Sequence, residues 1–456
     1  MSPARIELRS LRQLALPIVI TNLGTMMLGV VDVWMVARYS SEALASATLA
    51  NTWIHGTTLL AMGIVMGIDP IVSQAHGARD GPRAGLALQR GVVVALLVSI
   101  PIAWLWSRCG SFLLVMDQQL DLAEAAQSYA MVQIPSAPMF LLFIALRQYL
   151  QGRGIVRPAL WVALGTNIFN VVFNVALIFG KFGFPELGLR GAGIATALSR
   201  GLLLVGLLAV IGAGRLHEGA WTSWSRRALA PRGLMEVFRF GIPTGVQMAL
   251  EVWAFAAAAL MAGLLGTTAL AAHAIVLNMA GISFMIPMGI SFAAVTHVGN
   301  LIGQGSFKRA QRAAWVAFAM GGAVMGASGL IFLIFRHSIP ALFTDDPEIL
   351  VLCAAVFPIA AAFQVFDGVQ VVGAGILRGM GRTLPAAWFN LIGYWILSLP
   401  IGWWLAFRCG YDLRGIWWGL ALGLAIVAVL MLVWVHKRGP AKMRGPSALG
   451  IGLTEG

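Results

Sequence analysis

The chain has 456 residues, of which 59% are hydrophobic and only 11% charged. Soluble domains carry about 25% charged residues, so composition alone excludes a soluble globular fold. The net charge of +13 does not point to nucleic acid either, because the basic residues are scattered through short connections between apolar runs and form no continuous stripe.

At roughly 35–40 residues per span and connection, the length accommodates about twelve membrane helices. Apolar segments run over 14–36, 48–72, 91–106, 125–146, 158–180 and 191–211, and then over 236–261, 270–298, 313–335, 349–376, 384–407 and 416–435. The expected organisation is an amino-terminal lobe (1–212), a basic, Trp-containing cytoplasmic linker (213–235), a carboxy-terminal lobe (236–440) and a disordered cytoplasmic tail (441–456). Arg5, Arg9 and Arg12 precede the first run as in a signal peptide. That run passes Val31 without a small-residue cleavage site, so it is read as a retained first helix. Cys109, Cys353 and Cys409 are too few and too far apart for a thiolate metal site or a disulfide framework.

Basic residues concentrate in the even-numbered connections and at both ends, among them Arg79, Arg83, Arg153, Arg226, Arg227, Lys308, Arg378 and Lys437. Acids such as Asp117, Asp121, Asp345 and Glu348 accompany the fewer basic residues of the other side. This asymmetry places both termini and the linker in the cytoplasm. The halves also repeat. At one constant offset Pro17 falls on Pro243, Met35 on Met261, Gly77 on Gly303 and Arg83 on Arg309; one residue further along, Gly152, Pro158 and Trp161 fall on Gly379, Pro385 and Trp388. Both copies hold an even number of spans, so they are parallel repeats, and the place expected for a substrate is the cleft between them near the midplane.

Acids inside the spans do not follow the repeat. Asp32 corresponds to Ala258, Glu251 to Thr25 and Asp367 to Phe140. Asp367 lies roughly 15 Å along its helix from Arg378, near the middle of a bilayer. A carboxylate there is costly and marks a task, because neutral residues make interhelical contacts at lower cost. Each acid shares a helical face with other polar groups: Gln364 and Gln370 with Asp367, Thr244 and Gln247 with Glu251, and Thr21 and Thr25 with Asp32. Thr166, Asn167, Asn170 and Asn174 form a further stripe, with Thr196 available from the next span. Such oxygens suit a hard monovalent cation, and a desolvated carboxylate can instead carry a proton. Interhelical hydrogen bonding is an equally weighted role for the amides and hydroxyls.

Asp69, before Pro70 near a cytoplasmic helix end, is expected to be interfacial, and His273 and His297 to be core residues, since no histidine pair has metal spacing. Methionines such as Met26, Met27, Met248 and Met285 could make an adaptable surface for bulky ligands, though methionine is also ordinary membrane filler. No phosphate-cradling loop, Walker lysine or nucleophile elbow is present, so energy has to come from an ion gradient.

These residues resemble the multidrug and toxic compound extrusion (MATE) family, of the bacterial NorM type. The resemblance covers nearly the whole chain: the LALP run ending at Pro17, VDVWMVAR around Asp32, PIVSQAHGA from Pro70, the Glu251 helix, KFGFPELGLRGAGIATA from Lys181, and FDGVQVVGAGILRG from Phe366. It implies an all-α membrane protein whose two six-helix bundles form a V-shaped cleft. It further implies a non-enzymatic antiporter of the bacterial inner membrane, working as a monomer without a cofactor. Bulky cationic or amphipathic compounds would leave in exchange for H⁺ or Na⁺. Carried over by position, Glu251 and Asp367 match the carboxy-lobe cation site, where Na⁺ would bind, and Asp32 matches the amino-lobe acid, with Asn170, Asn174 and Thr196 around it. Gln247, Met248, Phe363, Gln364 and Gln370 are the candidates for the substrate cleft. Two departures stand out. Phe363 occupies a position where similar NorM proteins carry a cation-binding tyrosine, which weighs towards H⁺, and Asn174 replaces an aspartate of some relatives. A lipid-linked saccharide flippase of the same superfamily is the rival transporter reading, but it would need a cationic cleft. An integral membrane enzyme is the rival from another class, and no nucleophile or metal constellation supports it.

Overall fold

The structure, a computed structural model, describes residues 2–443, and every regular element among them is helical. Among the described residues, eleven helices are long and apolar enough to cross a membrane, or twelve if one bent pair counts as a single span. In chain order they are α1 (Pro3–Tyr39), α2 (Ser41–Gly77), α3 (Gly81–Ser107), α4 (the pair Leu120–Gln133 and Ser136–Gly152), α5 (Arg157–Ile178) and α6 (Gly188–Ala213). The second set is α7 (Pro231–Leu264), α8 (Thr267–Gly303), α9 (Phe307–Ile334), α10 (Pro347–Gly379), α11 (Thr383–Phe407) and α12 (Asp412–Lys442). Each expected apolar segment thus has its helix. Residues 444–456, most of the expected tail, lie outside the described residues.

Short connections are made possible by side-chain caps. The Ser40 hydroxyl accepts from the Ala43 amide (2.9 Å) at the start of α2, and Asp80 accepts from the Arg83 amide (3.0 Å) at the start of α3. A polar side chain there satisfies an amide that the helix cannot. Proline sets the interruptions. α4 bends by 51° at the break that contains Pro135. α11 widens into a π-helix over Leu391–Ser398, just before Pro400. Proline lacks an amide donor and crowds the carbonyl one turn back, which disturbs the α-helical ladder upstream of it.

By packing, the chain forms two compact units that do not coincide with its halves. One comprises residues up to Val19 together with those from Val246 onward; the other is Ile20–Gly245. Both divisions fall inside a helix, α1 and α7, shortly after the repeat-related prolines Pro17 and Pro243. The first segment of each helix is therefore packed with the other repeat. In the Ile20–Gly245 unit the attachment is made by glycines four apart, Gly63 and Gly67 on α2 and Gly241 and Gly245 on α7. A Cβ at Gly63 would lie 2.3 Å from the Gly245 Cα, and one at Gly241 only 2.0 Å from the Ile64 carbonyl oxygen. Small residues in this spacing let two membrane helices touch backbone to backbone. Gly63→Val is expected to lower stability by about 1–3 kcal/mol, in the range of overpacked cores, as read from thermal unfolding in detergent. Gly165→Ala, where nothing lies within 4 Å of the added carbon, is the control and should melt with the parent.

Partly buried ion pairs fix the same two segments. Glu7 on α1 meets His297 on α8 (2.7 Å) and Arg309 on α9 (3.1 Å), and Glu236 on α7 meets Arg90 on α3 (3.4 Å). The linker after α6 is held to the Ile20–Gly245 unit through its own carbonyls. Tyr149 donates to Ala220 O (2.8 Å), Gln89 to Thr222 O (2.9 Å), and Arg153 to Leu216 O and Glu218 O.

Candidate functional site

In the Ile20–Gly245 unit, three helices bring polar groups onto one carboxylate. Asp32 of α1 is only 5% exposed. Asn170 and Asn174 of α5 donate to its Oδ1 at 3.0 and 2.6 Å, and Thr196 of α6 donates to its Oδ2 at 2.7 Å. A second layer orients these donors. Asn174 also donates to Asn170 Oδ1 (3.2 Å) and Asn170 to the Ser199 hydroxyl (3.2 Å), and the Ala192 carbonyl, 3.0 Å from the Thr196 hydroxyl, is the alternative acceptor for its one proton. The residues singled out around Asp32 are therefore brought together, with Ser199 added to them. Asn167 and Thr166 of the same stripe behave differently. Asn167 donates to the Gly24 and Ala163 carbonyls, each at 2.9 Å, while the buried Thr166 hydroxyl has no partner among the described residues.

Arg200, one turn beyond Thr196 on α6, is a member of this site that the sequence pattern did not single out. It lies within electrostatic reach of Asp32, donates to the Ser136 hydroxyl (3.1 Å), and places its guanidinium over the rings of Trp106 (5.5 Å) and Phe140 (5.4 Å). Its signal was available: it is the one charged residue in the apolar run 191–211. The amino-lobe acid thus has a resident counter-charge.

The other unit is built differently. Glu251 of α7 accepts at Oε2 from Gln370 of α10 (3.2 Å) and from Asn390 of α11 (3.3 Å). Gln370 also donates to Asn390 Oδ1 (3.3 Å), and the backbone carbonyl of Gln247 accepts from Asn390 at 3.5 Å. Asp367 is 3% exposed, and its Oδ1 has no hydrogen-bond partner among the described residues. Asp367 and Glu251 are close enough to repel, and no basic residue among those described contributes to the field at either. Two buried carboxylates without a counter-charge are a standing cost in a membrane interior, which an exchangeable cation relieves.

The residues expected along a cleft have specific places. Phe363 is buried, edge-on to Phe255 (6.0 Å) and Trp417 (5.8 Å). Gln364 is buried and donates to the Ser283 hydroxyl (2.6 Å), Gln247 and Gln370 are buried, and Met248 is half-buried. Phe363 and Gln364 thus belong to the packing of their own unit, since an aromatic among aromatics gains more from contact than from exposure. Asp69, expected near the cytoplasmic membrane interface, is buried within the protein and accepts from Gln148 of α4 (2.9 Å). His297 is bound to Glu7, while His273 sits in the core 5.7 Å from the Trp417 ring.

The MatE family profile matches residues 17–176 and 243–404. A probable multidrug resistance protein NorM of Mesorhizobium japonicum is 35% identical over 450 residues, covering 95% of this chain and 94% of that protein. Multidrug resistance protein NorM of Burkholderia vietnamiensis is 34% identical over 440 residues, covering 95% of each. Among solved structures, the eukaryotic MATE transporter AtDTX14 superposes with a TM-score of 0.89 at 26% identity, covering 97% of this chain and 98% of that one.

Proposed function

The chain belongs to the MatE family of membrane transporters, and we propose on that premise that it is a multidrug efflux antiporter, exporting bulky cationic or amphipathic compounds in exchange for H⁺ or Na⁺. The observation that carries the coupling is the pair Glu251 and Asp367, buried together without a counter-charge among the described residues. An ion bound there lowers the energy of one conformation, and its release allows the drug-binding one. A ligand drives such a switch only by binding the two states unequally. The relatives named multidrug resistance proteins support the substrate class. The basic even-numbered connections support cytoplasmic termini, and the bacterial relatives an inner-membrane location. We read the working unit as the monomer. In-span acids at both sites favour cationic cargo over the pyrophosphate of a lipid-linked saccharide.

The test is accumulation of a cationic dye by proteoliposomes, driven separately by an imposed Na⁺ gradient and an imposed pH gradient. At least one must drive it; accumulation with neither would sink the proposal. Asp32→Asn is a second check. The Thr196 hydroxyl can turn its proton from the carboxylate to the Ala192 carbonyl and accept from the new amide, so the hydrogen bonds survive while the charge is lost. Efflux is expected to fall roughly tenfold, a typical coupling free energy, and the melting temperature to fall as well, because Arg200 loses its counter-charge. Parent-level efflux would leave Asp32 a structural role only.

A further inference from the structure

Tyr394 stands in the π-helical stretch of α11 and is 0% exposed. Its hydroxyl has no hydrogen-bond partner among the described residues. A buried phenol ordinarily finds one, so a lone hydroxyl in a membrane interior calls for an explanation. The charges within its electrostatic reach are Glu251 and Asp367. Its ring stands edge-on to Phe255 at 5.9 Å, and Phe363 stands edge-on to the same ring at 6.0 Å. Tyr394 and Phe363 therefore flank one phenylalanine, and the hydroxyl is on Tyr394. The buried oxygens Asp367 Oδ1 and Gln370 Oε1 lack partners as well. Asn390, four residues before Tyr394 and at the edge of the π segment, already donates to Glu251. Single-turn π insertions re-aim side chains and recur at functional sites. In the register that pairs Trp161 with Trp388, Tyr394 falls on Asn167, so this hydroxyl, like the two acids, is not part of the repeated scaffold.

We infer that Tyr394 supplies the hydroxyl oxygen of the Glu251–Asp367 cation site, in place of the one that Phe363 lacks, and thereby makes the site competent for Na⁺. A hard monovalent cation takes carboxylate, hydroxyl and amide oxygens together, and these residues present all of them. A proton needs only a carboxylate, so the hydroxyl decides between the ions. The inference rests on Glu251 and Asp367 being the coupling site, and the experiment separates the two.

Equilibrium binding of ²²Na⁺ is measured on the purified full chain in nanodiscs, for the parent, Tyr394→Phe, Asp367→Asn and the exchange Phe363→Tyr/Tyr394→Phe, with melting temperatures recorded for each. Tyr394→Phe is expected to weaken Na⁺ binding at least about tenfold, with its melting temperature that of the parent, and the exchange to recover part of the affinity. Undiminished Na⁺ binding in Tyr394→Phe, with binding lost in Asp367→Asn, overturns the role of Tyr394 and leaves the coupling site standing. Undiminished binding in Asp367→Asn overturns the coupling site itself. A parent that binds no Na⁺ overturns the inference, while pH-driven transport sensitive to Asp367→Asn would still uphold the antiporter.

Discussion

Asp367→Asn is expected to reduce coupled export by about 100-fold, the upper range of coupling free energies between two ligands, without weakening the fold. The structure separates the two effects. Asp367 keeps a buried oxygen without a hydrogen-bond partner beside a second acid, and nothing basic among the described residues offsets either charge. Its ionised form is therefore a cost to the empty protein. An amide of the same shape removes the repulsion and can donate to Gln370 Oε1, itself without a partner. The melting temperature in detergent should be unchanged or higher, and dye accumulation in proteoliposomes nearly lost under either gradient. Glu251→Gln should behave the same way for transport, at some cost in stability, because Gln370 and Asn390 both donate to the carboxylate it replaces. Export at the parent rate from both variants would remove the coupling role from this pair.

Much of this architecture is legible in the sequence, for physical reasons. A bilayer forces long uninterrupted apolar runs, so the spans stand out, and charge inside such a run is conspicuous, so Asp32, Glu251 and Asp367 do too. Asn170, Asn174 and Thr196 are visible because undisturbed α-helices put them at regular spacing. Asn390 and Tyr394 are hidden for the converse reason: they stand four residues apart, at α-helical spacing, but both are neutral, and an uncharged amide and phenol in an apolar run do not stand out as a carboxylate does. Arg200 is conspicuous by the same rule, as the one charge in the run 191–211, but its partners Ser136, Trp106 and Phe140 lie on two other helices and only the fold shows them. The exchange of the first segments of α1 and α7 is set by tertiary contact alone. Gly63, Gly67, Gly241 and Gly245 show the spacing of a contact, but each pair lies nearly the length of a repeat away from the other and does not name its partner.

Glu7→Leu should cost about 3 kcal/mol of stability, near the lower end for breaking a buried pair. Glu7 is 1% exposed and lies in the part of α1 that packs with the residues from Val246 onward. An ionised carboxylate can only accept, so the His297 Nε2–H donates to Glu7 Oε2 at 2.7 Å and the Arg309 Nε–H to Oε1 at 3.1 Å. Without the carboxylate, His297 keeps a largely buried ring with no acceptor in place. Arg309, with 48% of its side chain exposed, can turn to water, which is why the cost falls at the low end of the range. Glu7→Gln retains one acceptor and is expected to lose about 1–2 kcal/mol. The matching control is the exposed pair Arg215–Glu218, at 3.8 Å with side chains 78% and 63% exposed. Glu218→Ala there should change nothing measurable, because water screens such a pair. Thermal unfolding of the purified variants in one detergent ranks all three. A Glu7→Leu protein that melts with Glu218→Ala would show that the clamp does not hold the first segment of α1, leaving Val19 packed on Gly289 of α8 as the contact that does.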